Sequence, residues 1–236
     1  MQFILDNLIA VLVAGVLLLT LQVTQVRSQH ADIEQVASHS VKTKTLIFGH
    51  WVEQDILGIG ANFGTNTYRF EEPDTSAIGN TTRWVFFSDS TRDDGTSLRV
   101  FKRYRLLETE VVEFQTDTVQ MYQVRRDSVA LDFGSGGTAP TVASIPESSW
   151  TRDTRSIGTL SFFRVDLLDR QGETPRYTDG AMDGEIDPNK ADYIRVRFGV
   201  VPEYVLKPDN YIRELYWSKT LKVRPYWVPP PSLDAI

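Results

Sequence analysis

The chain begins with a long apolar run. Residues 3–26 hold no Lys, Arg or Glu, and residues 8–19 are uninterrupted Leu, Ile, Val, Ala and Gly. As a helix, these roughly two dozen residues reach about 36 Å, enough for a hydrocarbon core of about 30 Å. A secretory signal peptide would want a basic start and a small-residue cleavage site. Met1-Gln2 carries only the terminal amine, and residues 20–28 contain no A-x-A pattern, so the pattern favours a retained membrane anchor. Past the run the periodicity changes but stays helical. Val26, Ile33, Val36, Ala37, Val41, Ile47, Phe48, Trp51, Val52, Ile56 and Ile59 recur at three- and four-residue steps, with no proline in residues 1–72. Gly58, Gly60 and Gly64 then supply a stop. The expectation is one helix of about 55 residues, roughly 80 Å long. Its first half is apolar all round, and its second half carries a stripe that should lie on a globular domain.

From about residue 68 the pattern alternates. Residues 83–88 form an apolar strand candidate. Leu98, Val100, Lys102, Tyr104 and Leu106 alternate with Arg99, Phe101, Arg103 and Arg105. Further strands are expected at residues 111–114, 119–124, 158–167, 193–201 and 214–226, with a Gly/Ser/Thr/Pro-rich loop at 134–149 and a proline-rich terminus. No helix-length crossovers separate the strands, so the sheet should be antiparallel. The predicted organisation is α+β. Residues 1–27 are the transmembrane half of the helix, 28–60 its amphipathic continuation, and 61–236 a β-rich domain.

Composition adds little to this pattern. The 236 residues carry a formal net charge of −6, and a pI near 5.2 argues against nucleic acid as a partner. The absence of cysteine excludes disulfides, thiolate metal sites and cysteine nucleophiles. All three histidines, His30, His39 and His50, lie on the expected helix. A Ser-His-Asp site within the sheet domain is therefore excluded, and no catalytic residue is assigned.

One charge interrupts the apolar run. A carboxylate at mid-membrane costs about 2.5–3.5 kcal/mol, less near a helix end. Asp6 and Asn7 either cap the helix at the headgroups, or Asp6 awaits a positive partner from a neighbouring subunit.

Gln2-Phe-Ile-Leu-Asp6-Asn-Leu-Ile-Ala-Val-Leu-Val-Ala-Gly15 resembles the mature start of type IV pilin-like proteins, with Gln2 first and Asp6 at the fifth, acidic position. Trp51-Val-Glu-Gln-Asp55-Ile-Leu-Gly-Ile-Gly60 is similar to the helix end of J-type minor pseudopilins and W-type minor pilins. Downstream, residues 119–127, the strand and Asp–Gly turn of 160–172, and residues 193–201 and 221–225 fall where that family has its later strands. The resemblance implies a pilin-like fold, a long helix packed on an antiparallel sheet. It further implies a non-enzymatic minor pseudopilin or minor pilin of a type II secretion or type IV pilus filament, with its helix in the cytoplasmic membrane and its β-rich domain, residues 61–236, extracytoplasmic. Its partners would be other such subunits and the lipid bilayer. Gln2, Phe3 and Asp6 would be the assembly residues, the carboxylate pairing with an adjacent subunit's N-terminal amine. The chain departs from the pattern by having Asp in place of the usual Glu. Only Met1 precedes Gln2, where the family carries a short basic leader ending in glycine; that leader would lie upstream, have been trimmed, or be absent in a member assembled without processing. The alternative expectation is a generic single-pass anchored binding domain unrelated to filaments.

Two further patterns concern ligands. Asp179, Asp183 and Asp187 occupy positions one, five and nine of a calcium-like loop, with Gly184 at six and Glu185 between. Ala181 and Lys190 stand where further oxygen ligands belong, leaving calcium and a solvated acidic turn as the two readings. Tyr216, Trp217, Tyr226 and Trp227 gather beside Lys219, Lys222 and Arg224, a pattern for ligand stacking or for cross-strand aromatic pairs.

Overall fold

A computed structural model describes residues 2–59, 70–91, 96–114, 117–133, 140–177, 185–201 and 214–223; at residues 2–6, 90, 91, 113, 114, 117, 155 and 189 the description is of the backbone alone. The helix α1, Gln2–Leu57, is continuous over 56 residues and ends in a turn at Gly58 and Ile59. The strands β1 (Asp74–Thr75), β2 (Thr81–Thr91), β3 (Ser97–Phe114), β4 (Asp117–Phe133), β5 (Thr151–Leu168), β6 (Tyr193–Val200) and β7 (Leu215–Lys222) form one sheet. Strand order follows sequence order across all seven strands, and every pairing is antiparallel. The chain is thus α+β, a long apolar helix with an antiparallel sheet.

The sheet is curled, and β5 shows how. Its first part pairs with β4 up to Tyr122↔Leu160, and its second part pairs with β6 from Leu160 to Leu168. Between them Thr159 adopts φ 57° beside Gly158. A β-branched residue in the left-handed region is strained, and the bend lets one strand serve two directions. Past the bend, β5 leaves β4 and meets the turn before β2: the Val165 amide donates to Thr81 Oγ1 at 2.9 Å and Arg164 Nε donates to the Gly79 carbonyl at 2.7 Å.

The main core fills the concave side. Trp84, Phe86, Tyr104, Tyr122, Val124, Phe163, Val196 and Phe198 face α1 across it. The helix contributes Val41, Thr45, Phe48, Val52, Ile56 and Ile59, all buried at three- and four-residue steps, with Asp55 buried beside Ile56. This docked face is narrower and begins later than the expected stripe. Ile33 and Val36 are 52% and 70% exposed, because the sheet reaches no further down the helix than Val41, and Ile47, 45% exposed, lies off the docked face.

The remaining differences from the sequence reading have local causes. Residues 97–114 form a single strand, since the β3–β4 register carries through a bulge at Glu108/Val111. Strand β5 starts at Thr151, earlier than expected, and β7 ends at Lys222. The expected loop at 134–149 includes two short 3-10 turns, Val142–Ser144 and Glu147–Ser149. Val142 there joins Val85, Phe87, Phe101 and Val129 in a second core on the convex side. The stretch after β5 does turn at Asp169 and Gly172, where Asp169 Oδ1 accepts from the Gln171 and Glu173 amides and Gly172 takes φ 85°.

Candidate functional site

Two regions organise the molecule, the uncovered part of α1 and the joint where the helix meets the sheet. Residues 7–33 are exposed throughout. Leu8, Ile9, Val11, Leu12, Val13, Val16, Leu17, Leu18, Leu19 and Leu21 range from 50% (Ile9) to 72% (Val11) exposure. Leaving a large apolar side chain in water rather than burying it forgoes about 1.5–3 kcal/mol. The helix is long and apolar enough to cross a membrane. The side chains of Gln2, Phe3 and Asp6, the expected assembly residues, lie outside the described residues.

At the other end of the helix sits a charged joint that periodicity alone does not reveal. Asp55 is 4% exposed, within the apolar face. Lys102 Nζ reaches Oδ1 at 2.7 Å, Tyr104 Oη donates to Oδ2 at 2.6 Å, and Arg126 binds both oxygens, Nε to Oδ2 at 2.7 Å and Nη2 to Oδ1 at 3.0 Å. Arg126 Nη1 also engages Asp153. Burial pushes the Asp55 carboxyl up, but the Arg126 hydrogen bond and the Lys102 charge outweigh it and hold the group below its ordinary range. Burial and the adjacent carboxylate push the Tyr104 phenol well above its usual value, so it remains a donor. The constellation fixes the last turn of α1 against β3 and β4 by directional bonds. Chemically it is a satisfied ion cluster. It holds no nucleophile with a base beside it.

On the opposite face of β3 and β4 a second cluster joins Arg103, Arg105 and Arg125 around Asp127, which is 1% exposed, and Glu147. Arg103 also lies over the Trp150 ring at 4.2 Å. Both clusters come from the alternation of β3, which sends Lys102 and Tyr104 to one face and Arg103 and Arg105 to the other.

The other candidates fall as follows. Asp179 and Asp183 lie outside the described residues. Glu185 is exposed; Asp187 is buried and 3.5 Å from Lys190 Nζ, the cation standing at the twelfth loop position. Among the described residues no three His, Asp or Glu side chains gather as a metal group. His30, His39 and His50 are exposed, and His50 bonds to Gln54 at 2.9 Å. Trp217 stacks on Phe198 at 4.9 Å and lies against Gly49 of the helix, so its role is packing. Tyr216 is 59% exposed and pairs with Phe162 at 5.9 Å; Tyr226 and Trp227 lie outside the described residues. A groove of about 440 Å³ opens between α1 and β5, lined by Val41, Lys44, Ile47, Trp51 and Ile157.

No family model, curated protein or solved structure matches the chain.

Proposed function

We propose that the protein is a non-enzymatic, single-pass, pilin-like subunit that assembles with other such subunits through its N-terminal helix. The observation that carries this reading is the division of one continuous helix. Val41, Phe48, Val52, Ile56 and Ile59 are buried against the sheet domain, while residues 7–33 stand exposed, with apolar side chains on every side from Leu8 to Leu19. A single-pass anchor needs only the bilayer span of about 20 residues. Here the exposed helix extends past Val26 to about Ser40, with Ile33 and Val36 facing outward above the span. That surplus suits helix–helix contact between subunits. A minor pseudopilin or minor pilin role rests on the resemblance of residues 2–15 and 51–60. In that reading Asp6 pairs with a neighbour's amine, which compensates a carboxylate otherwise costly in lipid.

Two measurements test it on the full-length protein in membranes. Copies carrying Leu12→Cys should crosslink to one another, and Asp6→Ala should abolish incorporation into the assembly while leaving the sheet domain folded. Normal incorporation of Asp6→Ala would sink the mechanism. Absence of any helix crosslink would leave the anchored, monomeric binding domain as the better reading.

A further inference from the structure

Strands β3 and β4 outrun their neighbours. The β2 pairing stops at Arg83↔Arg105 and the β5 pairing at Tyr122↔Leu160. Beyond those points, residues 109–114 and 117–121 form a two-stranded arm, about 15–20 Å long at the usual rise per residue. Such a ribbon is marginally stable in water by itself. One of its faces is covered, since Val112, Val119 and Met121 pack with Val201. Glu108, Thr109, Glu110 and Val111 are exposed in succession, Val111 at 61%, and the bulge between Glu108 and Val111 re-aims these side chains.

A surface of opposite character lies on β5–β6–β7, on the face away from the helix. Its cross-strand rows are Phe162–Gly199–Tyr216, Arg164–Arg197–Ser218, Asp166–Arg195–Thr220 and Leu168–Tyr193–Lys222. Gly199 supplies no side chain, and the Glu214 carboxylate and Ser161 hydroxyl occupy the space above it, beside the Phe162–Tyr216 ring pair. Below this pair Arg195 Nε and Arg197 Nη2 share one acceptor, Asp166 Oδ2, at 3.2 and 2.8 Å. Arg164 spends its donors on the neutral Gly79 and Ile78 carbonyls, and Lys222 is exposed. Four cations therefore stand against Asp166 and, at the aromatic end, Glu214, which is hydrogen-bonded to Ser161. This is a positive surface on a chain whose net charge is −6.

We infer that the acidic arm of one copy docks on the arginine face of the next, with Glu108 and Glu110 meeting Arg195 and Arg197, and Val111 meeting the Phe162–Tyr216 pair. The occupant is a second copy because this chain carries both complementary surfaces, and because among the described residues no strand flanks the arm. The two patches differ, so the contact is head-to-tail and repeats from copy to copy. It deepens the proposed assembly by naming a contact between sheet domains, distinct from that between helices.

The absence of cysteine makes the test clean. Full-length copies carrying Glu110→Cys and Ser218→Cys, differently tagged and co-expressed in membranes, should form a disulfide heterodimer on mild oxidation. In cysteine-free copies, Arg195→Glu with Arg197→Glu, or Glu108→Arg with Glu110→Arg, should each cut co-purification of like copies more than about tenfold, since opposed like charges cost several kcal/mol. Mixing the two variants should restore it. Failure of the disulfide, or charge variants that associate like the parent, would overturn the contact; the disulfide pair alters no arginine, so it stays informative if a charge variant misfolds. Helix crosslinks at Leu12→Cys without the Glu110–Ser218 disulfide would overturn this contact and leave the filament reading standing. The disulfide without helix crosslinks would support the contact and overturn that reading.

Discussion

The two ends of α1 belong to one unbroken helix and meet opposite surroundings. The N-terminal half is the more apolar of the two, yet almost none of it is buried by the chain. The C-terminal half carries His39, Lys42, Lys44, His50, Glu53 and Asp55 and is the half that docks. Apolar content thus does not say where a helix is buried. A surface apolar on all sides suits a solvent apolar on all sides, whereas the concave face of a curled sheet accepts only a narrow stripe. Even that stripe is not wholly apolar. Asp55 sits within it because Lys102, Tyr104 and Arg126 are in place to receive a carboxylate.

The sharpest way to break the contrast is at Asp55. Asp55→Ala leaves Lys102 and Arg126 at the joint without this carboxylate, and removing one partner of a buried ion cluster costs about 3–5 kcal/mol. Urea unfolding of the detergent-solubilised chain, followed by tryptophan fluorescence, should show that loss. The same joint gives a pH dependence. A carboxyl held below its ordinary range in the fold contributes fully above its unfolded value, near pH 4 or roughly so. That contribution fades as pH falls further, through the lowered native value. The parent should therefore lose stability in that acid window relative to Asp55→Ala; parallel pH profiles would show that the carboxylate does not hold the joint.

A smaller effect is expected at Gly49, where an added Cβ would lie 2.5 Å from Trp217 Nε1. Gly49→Ala should cost about 1–3 kcal/mol through overpacking, with Trp217 fluorescence shifting as its ring moves off Phe198. The smallest belongs to the free half. Leu12→Ala should leave unfolding of the sheet domain within about 0.5 kcal/mol of the parent. A larger change would mean that the two halves are coupled.

Much of the architecture was legible from residue order. The long helix follows from unbroken helical periodicity without proline, and the antiparallel sheet from alternating strands without crossover helices. Register was less so. Residues 111–114 read as a separate short strand because the bulge at Glu108/Val111 interrupts the alternation. The joint was least legible. Asp55 looked like one acidic residue near a helix end, and its partners lie 47 to 71 positions away in sequence. The signal available was a charge at a stripe position, which identifies a residue needing a partner without saying which one.

By itself the sequence determined the period of each segment, and with it helix, strand and the apolar span, because those depend on neighbours three, four or two positions apart. Only the tertiary structure decided where along α1 docking begins, which face of β3 meets the helix, and how β5 bends at Thr159 to curl the sheet. Those outcomes depend on contacts between residues distant in sequence, and no local pattern encodes such a distance. The arginine face is of the same kind, a row of side chains assembled by register across β5, β6 and β7. The acidic residues at the arm, Glu108 and Glu110, lie instead in one short run of the chain.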